Sequence, residues 1–573
     1  MQRLALYVAV FLGTFGIYMS NGIFLGAGDS VGTTEFAFNA LQRHRLDFDE
    51  FRKTDFTRAG AHYGFVQARN HHLTTMFPIG TAILTFPAYA LLYVKDGHQR
   101  ITAPRYERTR RRVEKRMAAL IAALCAVIFL ATALLFTTPL QAGAATVVFA
   151  LGTEMWTIGS QALWQHAPVN LGLLAMVYCL IRGSRAQGLA VVWFSLAGIC
   201  CGFLPVIRPT SLIFSAATLI FLAFRLRWRF TFFVLGFAIG VAPGILWNWQ
   251  MFHSLSGGYG NDLHLFANSA VPALARFAGL LVSPSRGLFV YTPVLLFSLA
   301  ALGTLLRSSD FEARLLLTLA AASAALVGCY AFYTQWWGGW TYGPRFLTDI
   351  VGVGALLLAL WLPRDLGAFA RGSWRVRAAT AACCVAAIYS IAVQYVGANS
   401  GAAGVDWNHV PYSIDEKPDR IWNLRDSQIQ RNLFALYQEK VKWNFTRAPG
   451  YRSGLRGRVT QFSLSSEISP GVMLLPRAVV INEGNSQQFG YESGVFVGQV
   501  RVCVQILDAA GRLHSTQWLY VARNGEPGAR SPAVGTIFAP RITGAYTLRA
   551  FPYAIGIGPL AAAVGSRAFT VSR

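Results

Sequence analysis

LALYVAVFLGTFGIYMSNGIFLG (residues 4–26) runs without a charge for longer than a signal-peptide core, and no convincing cleavage site follows it. It reads as a retained membrane anchor. A hydrocarbon core of roughly 30 Å takes about 20 apolar residues of helix to cross, and runs of that order recur from Leu4 to Tyr395 and then stop. Composition agrees: the 573 residues are 54% hydrophobic and only 13% charged, more apolar surface than one soluble core can hide. The formal charge of +24 would suggest nucleic acid in a soluble protein. Here Arg and Lys concentrate in loops between apolar runs, where anionic lipid headgroups and the positive-inside rule account for them, so no nucleic-acid partner is expected.

With the N-terminus in the cytoplasm, the first run delivers residues 28–116 to the outside as a large loop. Within it, 77–94 contains Pro78, Gly80 and Pro87, which suits an interfacial or re-entrant helix better than a span. Further spans are expected at 117–137, 142–159, 168–181, 188–206, 211–224, 230–249, 287–306, 315–333, 346–362 and 377–396, eleven with the first. This parity places Arg182/Arg185, Arg225/Arg227/Arg229, Arg307/Arg314 and Arg364/Arg371/Arg375/Arg377 inside, and exports the tail. The exception is the basic run Lys95–Arg116, left outside.

After residue 400 the texture changes. Residues 401–450 read as a connector and 451–573 as an external β-sandwich domain, with alternating segments at VRVCVQIL (500–507) and AYTLRAF (545–551). The tail resembles immunoglobulin-like modules. Seven of the eight cysteines lie in apolar runs and only Cys503 in the tail, so neither a disulfide framework nor a zinc spacing follows. Asn444-Phe445-Thr446 is a formal glycosylation sequon, meaningful only in a eukaryotic secretory setting.

The external side of this topology collects polar residues that apolar spans do not need: Asp29, Glu35, Asp47 and Asp49, Trp164 and His166, Arg208, Asp262 and WWGGWTYGPRF (336–346). Trp336, Trp337, Trp340 and Tyr342 are denser than an interfacial aromatic belt requires. Aromatic faces beside an Arg fork suit a sugar phosphate. Asp47–Asp49 is a solvated turn or a metal pair; no cofactor is expected, and a divalent metal stays open. His62 and His71–His72 lie near it without a recognised ligand spacing. No glycine-rich phosphate loop follows a strand.

In order, Asp29 closing the first span, FPIGTAILTFPAY (77–89), FALGTEMW (149–156), SQALWQHAP (160–168), RPT (208–210), SPSRGLFVYTPVLL (283–296) and WWGGWTYGPRF (336–346) resemble the GT-C superfamily of membrane glycosyltransferases. The likeness is to the bacterial group related to protein O-mannosyltransferases and aminoarabinose transferases, and covers most of residues 1–400. It implies a bacterial inner-membrane enzyme that moves a monosaccharide, with inversion, from a polyprenyl-phosphate carrier to a glycan, lipid or protein acceptor at the external face. It also implies that Asp29 is the general base. Where many relatives carry a second acidic residue this sequence has His166, with Glu154 a less well placed substitute and Glu35, Asp47 and Asp49 further candidates. Arg345, Arg208 and Arg286, with the 105–116 run behind them, are the candidates for the donor phosphate. Single arginines of 108–116 are expected to snorkel to headgroups. A lipid-linked sugar flippase and an assembly scaffold are the alternatives; a flippase would carry polar groups at mid-membrane depth and inverted repeats.

Overall fold

The computed structural model describes residues 2–53, 64–69, 71–96, 106–186, 188–259, 272–400, 407–437, 449–463, 466–493, 495, 497–560 and 565–572. Asp262, His62 and the Asn444–Thr446 sequon lie outside them. The chain divides into a helical unit, Met1–Gly338 with Gly343–Ala398, and a β unit, Asn399–Arg573 with Gly339–Tyr342.

The helical unit runs α1 (Gln2–Met19), α2 (Val31–Phe38), α3 (Gly80–Asp96), α4 (Tyr106–Ala133), α5 (Pro139–Leu151), α6 (His166–Arg185), α7 (Ala190–Ile207), α8 (Leu212–Ala223), α9 (Phe230–Phe252), α10 (Ala273–Val282), α11 (Leu288–Tyr291), α12 (Ser298–Leu306), α13 (Phe311–Ala331), α14 (Val351–Trp361), α15 (Leu366–Arg371) and α16 (Trp374–Asn399). A short hairpin, β1 (Phe65–Gln67) with β2 (Leu73–Thr75), lies between α2 and α3. Among the described residues six helices are long and apolar enough to cross a membrane: Arg108–Ala133, His166–Arg185, Ala190–Ile207, Arg227–Phe252, Phe311–Ala331 and Trp374–Asn399.

The expectation of eleven full spans is therefore corrected. The runs at 142–159, 287–306 and 346–362 are interrupted, and those at 4–26 and 211–224 yield helices of 18 and 12 residues. Gly22 turns the chain at φ +64 after α1. Glu154 and a π turn at Met155–Gly159 follow α5. Arg208, in extended backbone before Pro209, precedes α8. Thr292–Pro293 splits 287–306, and a 3₁₀ turn at Arg345–Ile350 replaces the start of 346–362. Irregular backbone at membrane depth is tolerated where protein surrounds it.

α7 packs closely on α9 through two reciprocal small-residue pairs, Gly198/Gly202 and Gly236/Gly240. A Cβ on Gly198 or Gly202 would stand 2.1 Å from the carbonyl oxygen of Phe233 or Phe237; on Gly236 or Gly240 it would stand 2.1 or 2.2 Å from that of Ser195 or Ile199. Pairings rise together along both helices, so they run parallel, and the intervening α8 returns the chain. This is the G-x-x-x-G approach of membrane helices. Gly240→Val must separate two backbones and is expected to destabilise by on the order of 1–3 kcal/mol. A lowered thermal unfolding midpoint in detergent would show it; an unchanged midpoint would contradict the pairing.

The β unit contains β3 (Gly457–Thr460), β4 (Glu467–Ile468), β5 (Met473–Leu474), β6 (Arg477–Asn482), β7 (Val500–Leu507), β8 (Leu513–Val521), β9 (Arg530–Val534), β10 (Ile537–Phe538), β11 (Gly544–Ala554), β12 (Gly558–Pro559) and β13 (Gly565–Val571). Nine of these form one sheet in the order β3-β6-β9-β8-β7-β11-β13-β4, with β12 on β11; β5 and β10 form a separate pair. The nine strands share one hydrogen-bonded path and enclose one apolar core, which includes Val480, Val502, Val504, Leu519, Leu548 and Phe569. The path is continuous through β9, which pairs with β6 along its length and with β8 only at Tyr520↔Val534 and Val521↔Ala533. The central β7 is buried on both faces, Arg501 included, although its sequence alternates, whereas β11 alternates in burial. Asp508 closes the β7–β8 turn by accepting from the Ala510 and Arg512 N–H groups at 2.9 Å, with Gly511 at φ +76.

Candidate active site

Asp29 stands in a 3₁₀ turn, Gly28–Ser30, between α1 and α2. Its Oδ2 accepts from Arg345 Nη1 at 2.9 Å, with both side chains mostly shielded. Arg345 opens the 345–350 turn after Gly343, whose φ of +70 and packing on the Tyr291 ring leave no room for a Cβ. The guanidinium also lies over the rings of Trp164 and Phe346, 5.9 and 5.4 Å from their centroids. The Arg345 Nε–H is buried without a hydrogen-bond partner among the described residues.

A second ion pair adjoins it. Arg208 is thrown out of the helical path by the proline that follows, and its Nε stands 3.0 Å from Asp349 Oδ2 while donating to Thr210 Oγ1 at 3.0 Å. Its Nη2 donates to the Tyr330 hydroxyl at 2.7 Å. His166, the first residue of α6, holds Asp349 Oδ1 at 2.7 Å through Nδ1. With Asp349 accepting the Nδ1–H, the lone pair is on Nε2, which faces Arg208 Nη1 at 3.5 Å. The 345–350 turn is fastened to α6 by Asn170 Nδ2, which donates to the Thr348 carbonyl at 2.8 Å.

Tyr259 links this cluster to an apolar groove. Its hydroxyl bonds Gln165 and feels the charges of Arg208, Asp29 and Arg345; burial holds it above the usual phenol range. The groove, a cavity of about 370 Å³, is lined by Phe77, Pro78, Val206, Leu212, Ile245 and Tyr259 among others. The fold thus brings Asp29, Trp164, His166, Arg208 and Arg345 into one neighbourhood.

The remaining candidates lie elsewhere. Arg286 is fully buried and donates to the Trp337 carbonyl at 2.9 Å and the Ser285 carbonyl at 2.7 Å, stapling a loop. Trp336 and Trp337 are buried in the helical unit, Trp336 against Gly279. Trp340 and Tyr342 belong to the β unit, where Trp340 packs on His409 and the Thr341 carbonyl accepts from Gln428 Nε2 at 2.8 Å. The aromatic tetrad is therefore divided, with Gly338 and Gly339 at φ +77 and +71 at the crossing. Glu154 is buried and accepts from Thr292 Oγ1 at 2.9 Å and Gln394 Nε2 at 3.3 Å, none of them shared with the Asp29 cluster. Glu35 is buried on α2. Asp47, Asp49 and His72 gather their ligand atoms within 4.8 Å of one another, the grouping among the described residues that could hold a divalent ion. Asp49 already accepts from the Leu73 N–H at 2.7 Å and pairs with His72, closing the corner between the loop and β2.

Asp349, Tyr330 and Tyr259 escaped the sequence reading. Asp349 left a signal, a lone acid inside the apolar run 346–362 that no span tolerates without a partner.

No protein-family model matches this chain, and no curated protein matches it. Among solved structures, the apo crystal structure of ArnT from Cupriavidus metallidurans is similar at 14% identity, over 82% of this chain and 81% of that one, with a TM-score of 0.40. The DNA glycosylase AlkC of Pseudomonas fluorescens aligns at 10% identity, over 79% of this chain and 97% of that one, with a TM-score of 0.15. At these scores neither decides a fold or an activity, and the functional reading rests on the side chains described above.

Proposed function

We propose that the protein is an inverting membrane glycosyltransferase that takes a monosaccharide from a polyprenyl-phosphate carrier and gives it to a hydroxyl-bearing acceptor at the external face of a bacterial inner membrane. The observation that carries this reading is the juxtaposition of Asp29 and two arginines with an apolar groove, joined at Tyr259. A lipid-linked sugar phosphate has those same two parts. The groove suits the prenyl chain and the guanidinium groups suit its phosphate.

In the reaction Asp29 accepts the proton of the acceptor hydroxyl as its oxygen attacks the anomeric carbon. The bond from that carbon to the phosphate oxygen breaks on the opposite face, and polyprenyl phosphate leaves with its charge held by Arg345 and Arg208. Without donor, Asp29 and Arg345 neutralise each other. A donor phosphate competes for the guanidinium and releases the carboxylate, so the base becomes available when the donor is seated. Trp164 offers an aromatic face beside Arg345 for the sugar ring.

Arg345→Ala tests this assignment. A lost charge-assisted bond costs on the order of 1.5–3 kcal/mol, so the KM for the polyprenyl-phosphate donor should rise by about one to two orders of magnitude. Steady-state kinetics of purified protein measures it, and unchanged donor kinetics would remove Arg345 from the site.

A further inference from the structure

The first turns of α4 hold charges where a membrane helix bears them at a cost. Arg108, Arg111, Arg112 and Arg116 are exposed, as snorkelling requires, but Arg110, Glu114 and Lys115 are buried, which corrects that expectation for the run. Lys115 Nζ donates to Gln161 Oε1 at 2.6 Å, an oxygen shared with Asn21 Nδ2 at 2.8 Å. Glu114 is more heavily used. Its Oε2 accepts from Arg110 Nη1 at 2.8 Å. Its Oε1 accepts from the Ser30 hydroxyl at 2.6 Å and from the Ala27 and Leu163 N–H groups, each at 3.1 Å.

Those three donors belong to the two walls of the site. Ala27 and Ser30 flank Asp29, and Leu163 precedes Trp164. Arg345 touches the same two walls, pairing with Asp29 and lying over Trp164. We infer that Glu114 is a positioning residue, whose carboxylate fixes the separation of the Asp29 and Trp164 segments and so the seat of Arg345. A carboxylate suits the task because its oxygens offer about four acceptor positions, and here four donors converge on them. The bond from Arg110 offsets the cost of burying the charge. Consequences for transfer rest on the glycosyltransferase reading, whereas the brace itself does not.

The test uses the full-length protein in detergent or nanodiscs, with two variants. Glu114→Ala removes the acceptor; Glu114→Asp keeps the charge beside Arg110 but is one methylene too short to reach both segments. Hydrogen exchange followed by mass spectrometry should show peptides covering 27–30 and 160–165 exchanging together about tenfold faster in either variant, with α7 and α9 unchanged. Unaltered protection of both peptides in Glu114→Asp would overturn the brace, as would loss of protection throughout the helical unit. In the transfer assay Glu114→Asp should lower the rate by about 10²-fold, as sub-ångström misplacement of reacting groups does. The double variant Glu114→Asp/Arg345→Ala should lose little beyond Arg345→Ala, because both changes act on one unit. Full multiplicative loss would reduce Glu114 to a purely structural residue. If wild-type protein transfers no sugar, the glycosyltransferase reading fails while the exchange experiment still decides the brace.

Discussion

Asp29→Asn is expected to lower sugar transfer by roughly 10²- to 10⁴-fold, the usual cost of losing a general base, while expression and membrane insertion stay nearly intact. The substitution conserves size and still offers Arg345 an oxygen to bond, so the local fold has little reason to change. What it removes is the atom that takes the acceptor's proton. Donor binding should strengthen slightly or hold, because the phosphate no longer competes with a carboxylate for the guanidinium. A solvated interface residue would behave differently, since exposed substitutions usually stay within about 0.5 kcal/mol. Transfer at wild-type rate by well-folded Asp29→Asn protein would refute the assigned base. It would also bring the flippase reading forward.

Asp349→Ala should have the largest effect on stability of the changes considered. The side chain is fully shielded, and it neutralises Arg208 while holding His166. Removing one partner of a buried ion pair typically costs 3–5 kcal/mol, because the surviving charge is left uncompensated. The thermal unfolding midpoint in detergent should therefore drop, and donor binding should weaken as Arg208 loses its fixed orientation. Asp349→Asn, which keeps the oxygen facing His166, should recover part of the loss. Equal midpoints for wild type and Asp349→Ala would show that Arg208 finds another anion, and the second ion pair would lose its place in the account.

Much of the architecture was legible along the chain because local patterns set it. Uncharged runs give helices, and the change in texture near residue 400 marks the boundary between the units, which falls between Ala398 and Asn399. The segments at 500–507 and 545–551 are strands because their side chains alternate. Span length was read less well. A hydropathy window averages over Glu154, Pro209, Pro293 and Asp349, which lie in the irregular stretches between α-helices.

The site shows the same division. Asp29 stood out through the family resemblance, Arg345 through its place in WWGGWTYGPRF, and Arg208 because an arginine between apolar runs needs a partner. Which partner each takes is a long-range matter, since residues 29 and 345 meet only after the helices have packed. By itself the sequence determined a helical membrane unit, a C-terminal β unit and a short set of polar residues held against an apolar background. Tertiary structure alone decided that Arg286 staples a loop, that the Trp336–Tyr342 aromatics part between two units, that Asp349 completes the Arg208 pair and that Glu114 braces both walls. The physical reason is that hydropathy and turn chemistry act over a few residues. A buried charge is paid for by whichever donor or acceptor the fold brings within about 3 Å.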